Sequence, residues 1–445
     1  MPTNDTPNDQ NQKPMTRRQL LASMGAAGAL LAAGAGFGGG GTAYAASSAA
    51  PANSTGIYYN VKDFGARGTG RLDDDDGPAI QAAVNSAAYS GGTVFFPAGT
   101  YTIRSTIFIK SKVHLLGEGA EATVLKSGVN NLQMLIFGSS ASHCSIQGFT
   151  IEGIGVPNGA SAGVEKGVTA FEASHILISR CAFKYITNGI YLTRAEHVSI
   201  HQCTFQFILG SESLYEGYGI VVEGGVNHTI AGNHFKNVYR NCIYLTSGST
   251  YSTIVNNVIE QCKDTAILLS SKLSVCSHHL IEGNMISASG LGSEETSCTY
   301  GIRLKDASSF NTVVNNVVAQ AASAGIQLDA EENAGDDRPY GNSIAGNTVY
   351  DAPRGIAVLN GDGNAIKNND VRKTEAGILI DTIGEGSGYS AKGNLVTHNS
   401  LFQCSAAAVR IGSARCQLNT VFSNAGTGNT EGLQDNGTDT GTAGF

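Results

Sequence analysis

Tryptophan is absent from this chain of 445 residues, and only 14% of its residues are charged. Where an aromatic face is needed to stack on a ligand, tyrosine must supply most of it. Lysine and arginine (28) are outnumbered by aspartate and glutamate (36), giving a net charge of −8. No basic cluster offsets that balance, so nucleic acid is not expected as a partner. The nine cysteines are an odd number and include no Cys-x-x-Cys pair, which excludes the usual zinc patterns and leaves the compartment unread. Cys181 and Cys203 are spaced like equivalent positions of a repeat and are expected to stack as small hydrophobes. Cys242, Cys262, Cys276, Cys298, Cys404 and Cys416 are read as packing residues too. No nucleophile elbow, phosphate-binding glycine loop or dinucleotide fingerprint occurs.

Glycine, by contrast, is abundant (57), beside 16 Tyr and 16 Phe, as many tight turns and a β-rich core require. One phrase recurs: a small residue, a β-branched residue, a variable one and another aliphatic. It reads Gly189-Ile190-Tyr191-Leu192, Gly219-Ile220-Val221-Val222, Cys242-Ile243-Tyr244-Leu245, Ala266-Ile267-Leu268-Leu269 and Gly301-Ile302-Arg303-Leu304, and continues to Ala408-Val409-Arg410-Ile411. The shortest steps between copies are 22 to 24 residues, with longer ones where loops are inserted. Between copies sits a second phrase, Asn and then an apolar run, as in Asn257-Val258-Ile259 and Asn316-Val317-Val318. Each piece alternates with period two over three to five residues, and no window holds a helical period. Short strands at a fixed period make a solenoid whose coils stack at about 4.8 Å, with inward aliphatics in columns and turn asparagines bonded coil to coil. The expected fold is all-β, a parallel β-helix in one domain.

At the start, Thr16-Arg17-Arg18-Gln19-Leu20-Leu21 precedes a mild Ala/Gly/Leu run and the small-x-small site Ala43-Tyr44-Ala45. That pattern is similar to a twin-arginine export signal over 1–45, implying a secreted chain with no membrane segment once the signal is removed. Residues 46–56 read as a linker, 57–423 as the β-helix, and the Gly/Thr/Asn-rich 424–445 as a poorly ordered tail or an end cap. The segment Tyr59-Asn60-Val61-Lys62-Asp63-Phe64-Gly65-Ala66, followed by Gly91-Gly92-Thr93-Val94-Phe95-Phe96-Pro97-Ala98-Gly99-Thr100-Tyr101, closely resembles the start of pectate-lyase-like proteins. The resemblance, to polygalacturonases, polysaccharide lyases and tailspikes, implies a right-handed parallel β-helix, monomeric or trimeric, acting on a polysaccharide. Between those motifs, Asp73 to Asp76 read as caps for a helix near Pro78 to Ala88 that plugs the open end, rather than as a metal site.

Four inserts, Leu209 to Tyr218, Ser287 to Tyr300, Ala330 to Tyr340 and Thr382 to Lys392, fall outside the alternating pieces and are expected to wall a groove. The outward positions of the first phrase then present Tyr191, Tyr218, Glu223, Tyr244, Tyr300, Arg303, Lys305, Gln327, Asp329 and Asp381, with Glu216, Arg240 and Asp264 just before. Tyr218, Tyr244, Tyr300, Glu223 and Asp329 are the candidate substrate contacts. Tyr300-Gly301-Ile302-Arg303-Leu304-Lys305 is similar to the Gly-x-Arg-x-Lys element of polygalacturonases, which implies that Arg303 and Lys305 grip a sugar carboxylate. That family's acidic motifs have no counterparts on the preceding strands, where Glu216-Gly217-Tyr218, Arg240-Asn241-Cys242 and Asp264-Thr265-Ala266 stand instead.

Two chemistries follow for an extracellular, acidic polysaccharide. In β-elimination a base removes the proton α to a uronate carboxylate while cations, or a metal such as calcium, neutralise that carboxylate; Arg240, Tyr244, Arg303 and Lys305 suit it. In inverting hydrolysis two carboxylates stand about 6.5 to 9.5 Å apart, and Glu216 and Asp264, two coils apart, come to roughly 9.6 Å. The excess of Arg, Lys and Tyr favours the lyase, with the hydrolase next and a non-catalytic carbohydrate-binding solenoid as the alternative of another class. His201, His228, His234, His278 and His279 are expected to be satisfied polar residues, the last two pointing in and out in turn.

Overall fold

Alternating apolar residues with a turn every few positions leave each strand one face to bury, and stacking coils is the way short strands can do so. The computed structural model describes residues 58–155, 164–210, 216–287, 298–330, 337–384 and 389–444. The expected signal peptide, the linker and the centres of the four inserts lie outside them. Each regular coil carries three strands, as in Asn188–Thr193, Glu196–His201 and Thr204–Ile208, here taken as the first, second and third faces. Every face pairs in parallel with the next coil: Ile190 meets Ile220, Ile200 meets Ile230 and Phe205 meets Phe235. The fold is the expected parallel β-helix.

The recurring small residue has a packing cause. A Cβ on Gly189 would lie 2.6 Å from the Gly219 carbonyl oxygen and 2.7 Å from the Phe205 ring. The aliphatics that follow it, Ile190, Ile220, Ile243, Ile267, Ile302, Ile326, Ile356 and Ile378, are wholly buried in one column. Beside them Phe183, Phe205 and Phe235 stack at 4.8 and 4.6 Å, the coil spacing itself.

Two internal asparagine ladders run through the turns. In one, Asn284 Nδ2 donates to Asn316 Oδ1 (2.9 Å), and Asn316 Nδ2 to Asn347 Oδ1 (3.0 Å) and to the Ile281 carbonyl (2.9 Å). The other runs from Asn311 through Asn342 and Asn364 to Asn394 and Asn419. Upstream in that ladder the same place is held by His228, Ser252 and His279, and the backbone NH of Ser252 donates to His279 Nδ1 at 3.1 Å. His278 is exposed and His279 buried, the alternation anticipated for the pair.

The helix Gly77–Ala87 caps the first coil with Ile80, Ala83, Val84 and Ala87. Of the aspartates before it, Asp75 Oδ1 accepts from the Gly77 backbone NH (3.0 Å). Asp76 instead accepts from the backbone NH of Arg67 (2.6 Å) and Thr102 (3.2 Å), and Asp74 pairs with Arg67, so these two tie down the preceding loop rather than the helix. At the other end, Glu431–Asp435 pairs with Ala407–Ile411 and Gly441–Ala443 with Thr420–Phe422. The region read as a tail or cap therefore extends the first and second faces.

Cys262 and Cys298 form a disulfide across a separation of 36 residues, correcting their reading as packing residues. They stand at nearly equivalent places in successive coils, just before Thr265 and Tyr300, so the bond ties one coil to the next. Cys144, Cys181, Cys203, Cys242, Cys276, Cys404 and Cys416 are free and buried.

Candidate functional site

The outward positions of the first face form three columns, fixed by register. The residue before the small one gives Lys166, Asn188 and Tyr218, then Thr265 and Tyr300 further on. The middle column runs Thr169, Tyr191, Val221, Tyr244, Leu268, Arg303 and Gln327. The last runs Thr193, Glu223, Thr246, Ser270, Lys305 and Asp329. Arg240 and Asp264 stand one place before the first column in successive coils, the Asp264 NH donating to the Arg240 carbonyl at 3.3 Å.

Arg303 is held on two sides. Its Nε and Nη2 donate to the two carboxylate oxygens of Asp329 (2.8 and 2.6 Å), and its guanidinium lies over the Tyr300 ring, 4.4 Å from the centroid. The Arg303 side chain keeps 19% of its exposure and that of Asp329 only 3%. Burial alone would lower the Arg303 pKa, but Asp329 and then Tyr300 and Asp264 outweigh it, so the charge is held more firmly than usual. Asp329, expected among the substrate contacts, is thus withdrawn from the surface as the partner of Arg303. Lys305 sits 4.0 Å from the fully buried carboxylate of Asp306, which also accepts from Ser270 Oγ at 3.2 Å. Neither cation is a freely solvated side chain.

Two and three coils earlier stand Tyr244 and Tyr218, whose rings pack at 5.6 Å. Burial pushes the Tyr218 hydroxyl up to about 12, against the opposing effect of Arg240, which is hydrogen-bonded to it. Burial raises Tyr244 as well. The Tyr218 hydroxyl therefore keeps its proton at neutral pH. Asp264 is half-buried, accepts from Thr265 Oγ1 (3.3 Å) and contributes to the field at Arg303. Glu216 accepts from Asn188 Nδ2 at 2.7 Å. Register puts Gly217, not Glu216, in the column of Arg240 and Asp264, because Glu216 stands three residues before the small residue of its phrase, Gly219, whereas Arg240 and Asp264 stand two before Cys242 and Ala266. The two carboxylates are consequently out of line, and the two-coil distance estimate does not apply to them.

The sequence reading overlooked Lys166. Its ammonium lies 3.6 Å from the centroid of the Tyr191 ring, in no ion pair among the described residues, and burial lowers its pKa while Glu216 and Glu223 hold it up. Tyr191 donates to Glu223 Oε2 at 3.3 Å. The signal was available only as register, since Lys166 sits one coil before Asn188, where the repeat looked irregular. Among the described residues no three His, Cys, Asp or Glu side chains are gathered to hold a metal ion.

A family model described as "Rhamnogalacturonase A/epimerase, pectate lyase-like" matches residues 58–282, half of the chain. The chain belongs to this family. A second model, "Periplasmic copper-binding protein (NosD)", matches residues 292–442. Among curated relatives, alginate lyase 7 of Azotobacter vinelandii is 46% identical over 76 residues, 15% of this chain and 9% of that protein. Mannuronan C5-epimerase AlgE2 of the same organism is 38% identical over 109 residues, 21% of this chain and 11% of its own. The matched stretches thus span about a tenth of those relatives' length. Among solved structures, the A-module of Azotobacter vinelandii mannuronan C-5 epimerase AlgE6 superposes with a TM-score of 0.57 at 17% identity, covering 86% of this chain and 99% of the module. The exopolygalacturonase of Thermotoga maritima gives 0.53 at 13%, covering 75% and 92%. The Streptococcus pneumoniae surface protein and adhesin PfbA gives 0.52 at 17%, covering 87% and 100%. These structural neighbours share the right-handed β-helix with this member of the family.

Proposed function

We propose that this family member is an exported enzyme that breaks an acidic, uronate-containing polysaccharide by β-elimination on the first face. The observation that carries the reading is the arrangement of Arg240 and Arg303 on either side of Asp264 along a half-open, tyrosine-lined strip. Its family membership and its local identity to an alginate lyase support the substrate class. Arg240 and Arg303 neutralise the carboxylate of the bound uronate, which makes its α proton acidic. Asp264 takes that proton, the C4–O bond breaks as the C4–C5 double bond forms, and Tyr218 gives its proton to the departing oxygen. Acid and base groups placed in this way each contribute roughly 10²- to 10⁴-fold.

The epimerase likeness favours a second reading with the same first step, in which a proton returns to the opposite face and the chain stays whole. The test is to incubate the mature protein with pectic, alginate-like and neutral polysaccharides, with and without calcium, following ultraviolet absorbance, reducing ends and the proton spectrum together. Absorbance and reducing ends rising together, and both lost in Asp264→Asn, is the expected result. Reducing ends alone would mean hydrolysis, inverted residues in uncut chains would mean epimerisation, and binding without any change would mean a carbohydrate-binding solenoid.

A further inference from the structure

A row of rings that takes no part in the chemistry proposed for the first face stands at the edge of the second. The turn into the second face holds one residue per coil in the left-handed conformation. In three later coils that residue is glycine: Gly341, Gly363 and Gly393, with φ of 64°, 61° and 62°. Earlier the same place is taken by Tyr251, His278 and Phe310, with φ of 55°, 60° and 57°. Glycine adopts this backbone without steric cost, whereas tyrosine and phenylalanine do not. Burial does not compensate, because Tyr251 is 58% exposed, Phe310 50%, and Tyr340, just before Gly341, 51%. The rings line up instead. Tyr251 stacks on His278 at 4.9 Å and His278 on Phe310 at 5.8 Å, and Tyr340 meets Phe310 edge-on at 5.5 Å. Gly341 makes room for them, since a Cβ there would lie 2.9 Å from the Phe310 ring. Beside the rings runs a row of hydroxyls. Register stacks Thr229, Thr253, Leu280, Thr312 and Ser343 outward and partly exposed in successive coils. The four hydroxyls in that column have no hydrogen-bond partner among the described residues. The next outward column runs Ala231, Val255, Glu282, Val314 and Ala345, so Glu282 alone of these ten residues is charged.

We propose that this face holds an extended, uncharged polysaccharide lying along the stack, at a site separate from the first face. A sugar chain carries apolar C–H surfaces and hydroxyl edges side by side. Half-exposed rings next to unpartnered hydroxyls meet both, and the pattern recurs from coil to coil. Bulky rings kept in a left-handed turn and left exposed gain nothing for the core, which fits a surface kept for contact. An acidic polymer would find Glu282 and no lysine or arginine at these outward positions, the reverse of the first face with Arg240, Arg303 and Lys305.

The test measures how the full mature chain partitions between buffer and insoluble cellulose, mannan and xylan, read as protein lost from solution. Retention on at least one of them, unchanged by added salt, is the expected result. Tyr251→Gly with Phe310→Gly places at both turns the residue found later in the same column, and should weaken retention roughly tenfold or more. Thr253→Val with Thr312→Val keeps the rings and the side-chain shape and should weaken it as well, which keeps the test open if the glycines loosen the turn. Asp264→Asn should be retained like the parent, so the outcome does not depend on the elimination reading. No retention on any of the three polymers would overturn the proposal, as would retention that both paired variants leave intact, that Asp264→Asn abolishes or that salt removes. Concentration-dependent association that the glycine pair abolishes, seen by light scattering, would assign the rings to contact between copies of this chain and overturn it too.

Discussion

At the scale of single residues, the Arg303–Asp329 pair concentrates both stability and function. Because the Asp329 side chain is only 3% exposed, its charge is tolerable only while the guanidinium answers it with two short bonds. Breaking a buried pair from one side costs roughly 3–5 kcal/mol, whereas replacing both partners by apolar groups of similar volume is often neutral. Arg303→Met should therefore lower the urea unfolding midpoint strongly, and Arg303→Met with Asp329→Leu should recover most of the loss while remaining inactive. If the double variant were no more stable than the single one, the pair would not be the reason. Sequence alone set both residues on the outward side of one sheet, as found. It could not say that they face each other, because register sets Arg303 opposite Gln327 and Lys305 opposite Asp329, and the diagonal contact is decided by how the side chains lean.

At the scale of an element, the ladder of turn residues shows how one structural position admits different side chains at different pH costs. Asn311 continues the line begun by His228, Ser252 and His279. Burial, reinforced by neighbouring histidines, lowers both imidazoles to about 4. The unfolded chain titrates near about 6.5, so the unfolded state binds more protons between the two values. Stability from these groups is complete above about 6.5 and is lost as pH falls towards about 4, by up to several kcal/mol for the two together. His279→Asn should fit the ladder as Asn311 does and flatten the fall in unfolding free energy across that window, measured by urea titration at several pH values. An unchanged slope would mean that His279 is not neutral in the fold. The asparagine ladder itself was legible in the sequence; the substitution of histidine into it was not, since only register aligns His228 with Asn311.

At the scale of the whole molecule, coils that contact only their neighbours gain stability by addition, and a covalent tie across an insert acts on all of them through the unfolded chain. The Cys262–Cys298 bond closes 36 residues, which in the chain-entropy account is worth roughly 3–4 kcal/mol. Adding reductant should lower the melting temperature, and Cys262→Ser with Cys298→Ser should melt where the reduced protein does and no longer respond to reductant. A melting point indifferent to reductant would show that the bond contributes nothing. A persistent disulfide also fits the export that we propose.

What the sequence by itself determined is everything periodic: the strands, the parallel stacking, the inward isoleucines, the asparagine turns, the capping helix and the outward set from Tyr191 to Asp329. Period-two patterning dictates which side of a strand is buried, and a repeat makes the same decision at every coil. What only the tertiary structure decided is whatever lies between coils. It seated Lys166 over Tyr191 and joined Cys262 to Cys298. Those outcomes depend on how far each insert shifts the register and where it folds back. Loops with no period carry no such instruction, so their effect appears only once the coils are stacked.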